Sequence, residues 1–226
     1  MNNRTHRAFK ADIYTQFARV TKALSNPHRL ELIDLLAQGE RTVEDLAREA
    51  DLSIANASQH LQELRIAHLV SVRREGLYAY YRLADENVFR VWQAVRELGE
   101  ARLSEIERVR RTYLQARETL EAIDSAELLA RMNKNDVTLL DVRPVEEYRA
   151  GHIGGAISAP VKEIESFLRK LPKRKEIIAY CRGPYCVFSD EAVALLRARG
   201  YKARRLATGF PDWRAAGLPV EAHGTM

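Results

Sequence analysis

The stretch Glu176-Ile-Ile-Ala-Tyr180-Cys181-Arg182-Gly183-Pro184-Tyr185-Cys186-Val187 decides how the second half of this chain is read. Its apolar opening reads as a buried strand, and residues 189–199 follow as an amphipathic helix that Gly200 ends. A loop between a strand and a helix is how anion cradles are built. Successive main-chain N–H groups converge on one point, and the helix N-terminus adds partial positive charge. A cysteine at the start of such a loop is pushed toward thiolate, and a neighbouring arginine reinforces this and attracts an anion. The alternative is a pair of ordinary buried cysteines at a strand end. Gly183-Pro184 and the basic Arg182 speak against it. Outward from the loop, residues 137–142 and 203–206 are further short strand candidates. Strand and helix therefore alternate, as in an α/β domain with a largely parallel sheet.

The chain has 226 residues, 46% hydrophobic and 30% charged, enough apolar material for one large domain or two ordinary ones. No run approaches the roughly 18 apolar residues of a membrane span, and residues 1–10 are polar, so no membrane partner and a cytoplasmic protein are expected. Two cysteines exclude a disulfide scaffold. The net charge of +5 is unevenly placed. Residues 1–124 hold nineteen basic and nineteen acidic side chains, and the remainder holds seventeen against twelve. Global charge therefore gives no case for nucleic-acid binding; any case must be local.

The first half supplies that local case. Asn26-Pro27 reads as a helix start, with Leu30, Ile33, Leu36 and Ala37 at helical spacing and Gly39 closing the pattern. Thr42-Val-Glu-Asp45 opens a short helix through Ala50, and Asp51-Leu52 makes a turn. Ser53 then caps a third helix whose Ile54, Ala57, Leu61 and Leu64 form one apolar stripe. Its other face presents Asn56, Gln59 and Gln62, flanked by Ser58 and His60; such amides can read adenine, and hydroxyls suit phosphates. A hairpin follows, turning at Glu75-Gly76, and Arg65, Arg73, Arg74 and Arg82 supply positive charge. Two helices, a tight turn and a hairpin make a winged helix-turn-helix arrangement; a polar solvated face on a small helical domain is the bland alternative. Residues 85–123 read as one long helix that Gly99 can kink or split, and Ser125 is placed to cap the next.

Lys22-Ala-Leu-Ser-Asn-Pro-His-Arg-Leu30, Val43-Glu-Asp-Leu-Ala47, residues 53–64 and the Arg/Gly/Tyr-rich hairpin together resemble the ArsR/SmtB family of bacterial repressors over about residues 14–98. The resemblance implies a homodimer built from terminal helices, and a double-stranded DNA operator. Residues 53–64 would enter its major groove, with wings from residues 71–80. It implies DNA contacts by Ser53, Asn56, Ser58, Gln59, His60, Gln62, Arg65, Arg73 and Arg74. One departure matters. Many members bind metal through cysteines near the recognition helix or through His/Asp/Glu sets on the dimer helix, whereas no cysteine precedes Cys181 and residues 85–123 contain no histidine. His28, His60 and His68 stand isolated in the sequence, so neither a metal nor a cofactor is expected.

A second resemblance lies further on. Leu140-Asp141-Val-Arg143-Pro-Val-Glu-Glu147-Tyr148-Arg-Ala-Gly151-His152-Ile153-Gly-Gly155-Ala156 is similar to the N-terminal signature of rhodanese domains. Gly209-Phe-Pro-Asp212-Trp213-Arg-Ala-Ala-Gly217-Leu-Pro219 resembles their C-terminal signature, and Cys181 falls where the family forms its persulfide. The resemblance spans about residues 125–220 and implies a five-stranded parallel sheet flanked by helices. The expected organisation is two domains: 1–98 for DNA binding and dimerisation, 99–124 as a helical connector, and 125–226 as an α/β rhodanese-like domain.

What the second resemblance implies for chemistry is specific. The Cys181 thiolate takes the outer sulfur of thiosulfate or of a persulfide, and a thiol acceptor then removes it. Arg182 helps hold the anionic donor, and the amides of Arg182, Gly183, Tyr185 and Cys186 stabilise the sulfur. Asp141, Arg143, Glu147 and His152 organise the loop's surroundings, and Trp213 is a core residue. Pro184 stands where many rhodaneses have Gly and offers no N–H. Cys186, often a hydroxyl residue in the family, either fills the floor of the cradle or resolves a Cys181 persulfide to a disulfide or polysulfide bridge. Two functions stay open: a repressor whose DNA affinity responds to sulfur at Cys181, and a sulfurtransferase enzyme with an accessory DNA-binding domain. A catalytically idle interaction domain is disfavoured by the intact cysteine and arginine.

Overall fold

A computed structural model describes residues 3–114 and 121–222. The chain divides into two compact units, Met1–Trp92 and Gln93–Met226.

The first unit opens with helix α1 (Asn3–Leu24) and α2 (Pro27–Leu36). Asn26 caps α2 by accepting from the Arg29 N–H, with Pro27 in the first turn, where a missing N–H costs nothing. Strand β1 (Arg41–Thr42) leads into α3 (Val43–Glu49), capped by Thr42, whose hydroxyl accepts from the Asp45 N–H at 3.1 Å. Asp51, at φ 50°, makes the turn into α4 (Ile54–Ile66), capped by Ser53. Strands β2 (Val70–Glu75) and β3 (Tyr78–Leu83) form the hairpin, and β1 adds to β3 in a three-stranded antiparallel sheet. The hairpin turns at Gly76-Leu77, one residue later than the sequence reading, because Glu75 still pairs with Tyr78. Gly76, at φ 58°, occupies the first turn position, which a type II′ hairpin reserves for glycine. Leu32, Ile33, Leu36, Leu46, Leu61 and Leu64 build the core. Ile54 does not join it: at 54% exposure it sits at the N-terminal end of α4, so the buried stripe starts one turn later at Ala57.

The expected single helix over residues 85–123 is two among the described residues, and residues 115–120 of that expectation lie outside them. Helix α5 (Glu86–Arg102) stops at Leu103, and α6 (Ser104–Leu114) follows. Gly99 is not the break. A Cβ there would lie 3.2 Å from Ile106 Cδ1, so Gly99 is where α6 packs closely on α5. Ile123 belongs to a strand, β4 (Ala122–Ile123). Asp124, not Ser125, caps α7 (Ser125–Asn133) by accepting from the Glu127 N–H at 2.7 Å. After α7 come β5 (Val137–Asp141), α8 (Val145–Ala150), β6 (His152–Ile153), β7 (Ile157–Ser158) and α9 (Ile164–Phe167). The chain continues through β8 (Glu176–Tyr180), α10 (Phe188–Ala198), β9 (Ala203–Leu206), α11 (Phe210–Ala215) and β10 (Val220–Glu221).

Five strands form one parallel sheet in the order β4-β9-β8-β5-β7. Because both faces are covered, β8 reads as an almost unbroken apolar run. Ile177 and Ala179 enter one core with Leu140, Ala192 and Leu196, while Ile178 and Tyr180 enter the other with Ile123, Phe210 and Trp213. The short antiparallel pair β6–β10 joins the two signature segments, His152 opposite Glu221 and Ile153 opposite Val220. No described helix is long and apolar enough to cross a membrane.

Candidate functional site

The cysteine loop runs from the C-terminal end of β8 to α10. Cys181 is 1% exposed and packs with Leu140, Val142 and Ala159, whereas Cys186 is partly exposed at the far end of the loop. The two are joined by a disulfide, with Cα atoms 6.2 Å apart. The Cys186 N–H donates to the Gly183 carbonyl at 3.1 Å, so this amide closes the loop's own turn and does not face the cradle. Pro184 has no N–H. The amides of Gly183 and Tyr185 have no acceptor among the described residues.

The wall beside the loop is main chain. Phe210 N–H donates to the Cys181 carbonyl at 3.1 Å, and a Cβ built on Gly209 would lie 2.2 Å from the Arg182 carbonyl oxygen and 2.4 Å from Gly183 N. No side chain fits there. Asp212 Oδ2 accepts from Gly209 N–H at 3.1 Å, while its Oδ1 pairs with the Arg96 guanidinium of α5 in a buried ion pair. From the other side of the loop the Tyr185 hydroxyl donates to Glu100 Oε1 of α5 at 2.6 Å. Burial, then the bond to Glu100 and its charge, pushes the Tyr185 phenol well above its usual range, so it stays a donor. Between these two tethers lies a cavity of about 540 Å³, lined among others by Pro184, Arg96, Glu100, Arg110, Arg205 and Thr208.

Arg182 is engaged by a neighbouring carboxylate. Its Nε donates to Glu147 Oε1 at 2.9 Å, and this carboxylate, from α8, is 2% exposed. Beneath it Asp141 and Arg143 form a fully buried pair. Asp141 also accepts from the Tyr180 hydroxyl at 2.6 Å, and Arg143 donates to the Gly151 carbonyl at 2.7 Å. Burial, then the Asp141 charge, raises the Tyr180 phenol well above its ordinary value, which keeps it protonated; its oxygen in turn accepts from Ile153 N–H. A buried pair whose valences are met in this way is costly to break from either side.

In the first unit, Ser53, Asn56, Gln59, Gln62 and Arg65 are exposed along α4, with Ser58 and His60 half-buried. Ser53 is occupied as the cap. His60 is not isolated: its ring centroid lies 5.5 Å from that of His28, and burial, then His28 and Arg29, lowers its pKa. Arg73 is engaged at the wing by both oxygens of Glu40, by Glu75, and by the face of Tyr80 at 4.3 Å. Arg74 is exposed and makes no ion pair among the described residues. Among those residues no group of three or more His, Cys, Asp and Glu is placed to hold a metal. The sequence reading missed Arg96, Glu100 and Gly209 as neighbours of the loop. Gly209 carried a signal as the first residue of the C-terminal signature, and Arg96 and Glu100 carried none.

A winged helix-turn-helix unit followed by a cysteine-loop α/β unit defines a transcriptional regulator with a rhodanese-like domain. Residues 24–73 match a helix-turn-helix domain family, and residues 124–216 match the rhodanese-like domain family. The HTH-type transcriptional regulator Rv0324 of Mycobacterium tuberculosis is 45% identical over 94% of this chain and 93% of its own length. The chain therefore belongs to the ArsR/SmtB-type helix-turn-helix regulators that carry a rhodanese-like domain. Each half also has its own relatives. The transcriptional repressor SmtB homolog of Synechocystis is 40% identical over 35% of this chain and 61% of its own. A sulfurtransferase of Allochromatium vinosum is 33% identical over 44% of this chain and 94% of its own.

Proposed function

We propose that this regulator is a cytoplasmic homodimeric repressor whose rhodanese-like domain accepts sulfane sulfur at Cys181 and thereby changes affinity for a double-stranded DNA operator. The observation that carries the sulfur reading is the loop: a cysteine at a strand end, bordered by the amides of Gly183 and Tyr185, which have no acceptor among the described residues, and walled by the Gly209 backbone. The Cys181 thiolate attacks the outer sulfur of thiosulfate; the S–S bond breaks, sulfite leaves, and Cys181 carries a persulfide whose charge loop amides would stabilise. A persulfide donor reacts in the same way and loses a thiol. Arg182 positions the loop through Glu147, and Asp141 with Arg143 holds the strand end beneath it.

The polar, exposed face of α4 supports major-groove reading by Asn56, Gln59 and Gln62, with Ser58, His60 and Arg65 at its margins and Arg74 at the wing. Dimerisation is supported by exposed apolar residues: Phe9, Ile13, Tyr14 and Phe17 on α1, and Val91, Val95 and Leu98 on α5. In this reading residues 1–98 bind DNA and dimerise, 99–124 connect, and 125–226 handle sulfur. The test is an anisotropy titration of operator DNA with reduced and then thiosulfate-treated protein, alongside Cys181→Ser. A treated protein that binds as the reduced one does defeats the sensing reading. Continuous turnover with an added thiol, lost in Cys181→Ser, would instead favour an enzyme.

A further inference from the structure

We infer that Cys186 is a resolving thiol: it converts the Cys181 persulfide into the Cys181–Cys186 disulfide and expels sulfide, so the reduced protein reduces one thiosulfate and then stops. This rests on the reading that Cys181 is the sulfur acceptor.

The two ends of the loop differ in a way that assigns the roles. The Cys181 end is fixed: its carbonyl accepts from Phe210 N–H, and the next peptide lies against Gly209, where even a methyl group would clash. The Cys186 end is tied to that anchor by the turn bond from Cys186 N–H to Gly183, packs against the core while only partly buried, and is the more exposed of the two. The backbone places both Cα atoms 6.2 Å apart, inside disulfide reach, and the structure holds the bond formed. A thiol tethered this closely competes at a very high effective concentration, so it outruns thiols from solution.

The step balances without any outside oxidant. Cys181 thiolate takes the outer sulfur of thiosulfate and sulfite departs. Cys186 thiolate then attacks Cys181 Sγ; the Cys181 Sγ–S bond breaks and the terminal sulfur leaves as hydrosulfide with the proton of the persulfide or of solvent. Two cysteine sulfurs are oxidised by two electrons, and the sulfane sulfur is reduced to sulfide. The protein then waits, bridged, for a dithiol reductant to reset it.

Reduced, desalted full-length protein is mixed with inorganic thiosulfate and no other thiol, and sulfite, sulfide and intact mass are followed. The expected result is sulfite and sulfide in equal amounts, with a protein lighter by two hydrogens. Cys186→Ser should keep the sulfite burst, gain the mass of one sulfur atom and release no sulfide; Cys186→Ala serves if the serine variant fails to fold. Sulfite without sulfide, the wild-type protein keeping the added sulfur as a persulfide, overturns the resolving role and leaves Cys181 as acceptor. Absence of sulfite overturns both readings.

Discussion

Asp212 uses its two carboxylate oxygens in two directions: Oδ1 pairs with the Arg96 guanidinium, side chains 4% and 7% exposed, and Oδ2 accepts from Gly209 N–H. Gly209 in turn lies against the Arg182–Gly183 peptide. A single carboxylate thus ties helix α5 to the wall of the cysteine loop.

Removing one member of a buried pair leaves the other charge stranded, at a cost of about 3–5 kcal/mol. Arg96→Ala should therefore lower the thermal unfolding midpoint of the Gln93–Met226 unit. Arg96→Lys should recover part of the loss, because an ammonium restores the charge and not the planar fork. An Arg96→Ala protein as stable as wild type would mean the pair does not hold the helix.

Gly209→Ala tests the wall itself. The new methyl group would sit 2.2 Å from the Arg182 carbonyl oxygen, and backbone cannot swing aside as a side chain can. The loop must shift, and sulfur acceptance at Cys181 should fall at least about tenfold, the scale on which misplaced reacting groups lose rate. Sulfite release from thiosulfate measures it, with circular dichroism confirming a folded protein. Unchanged release would show that the loop tolerates a displaced wall.

How far the sequence reached follows from what each signal depends on. Caps and strands were legible because they are local: Asn26, Thr42 and Ser53 cap as their residue types dictate, and β5 and β8 fall where the apolar runs lie. The errors cluster where tertiary contact overrides local pattern. Ile54 has helical spacing with Ala57 but lies at an end of the helix that the core does not reach. Helical pattern continues through Leu103 without Pro, yet the chain breaks there and Ile106 packs back on Gly99. The sequence also gives no sign that Glu147, thirty-five residues away, is buried against Arg182. Nor does the sequence single out Arg96 or Glu100, whose partners Asp212 and Tyr185 lie far along the chain.

At the DNA-facing surface, two substitutions should separate reading from attraction. Gln59→Ala removes an exposed amide that can bond an adenine edge, and should cost about 1–3 kcal/mol in operator discrimination while leaving the salt dependence unchanged. Arg74→Ala should weaken binding to all sequences and reduce the salt slope by about one. Arg73→Ala should do less, because Glu40 and Glu75 already neutralise that guanidinium. Titrations at several salt concentrations decide the matter, and equal slopes for Arg74→Ala and wild type would remove Arg74 from the interface.

His60 gives the first unit a pH response. Burial, then the nearby His28 and Arg29, places its folded pKa below the 6.5 of a free imidazole, so the unfolded chain binds the proton more readily. The stability this contributes is present above about 6.5 and is lost as pH falls through that value toward the lower folded one. The unfolding midpoint should drop on acidification, and His60→Gln should flatten the drop. A variant that follows the wild-type curve throughout would assign the acid response to other groups.

Tyr185 is where the state of the loop and the position of α5 can be uncoupled. Its hydroxyl donates to Glu100, and because burial and that carboxylate hold the phenol protonated, the bond persists across the physiological range. Tyr185→Phe removes the bond and keeps the ring. Cys181 should then accept sulfur at the wild-type rate, since the Cys181 carbonyl anchor and the Gly209 wall are untouched. The change in operator affinity on thiosulfate treatment should shrink, because a bridged and an open loop would no longer pull on α5 differently. A purely structural hydroxyl would lower stability and leave that affinity ratio as it was. The readout is the ratio of operator dissociation constants before and after treatment, in wild type, Tyr185→Phe and Glu100→Gln. If all three ratios agree, sulfur at Cys181 reaches DNA by some route other than this bond.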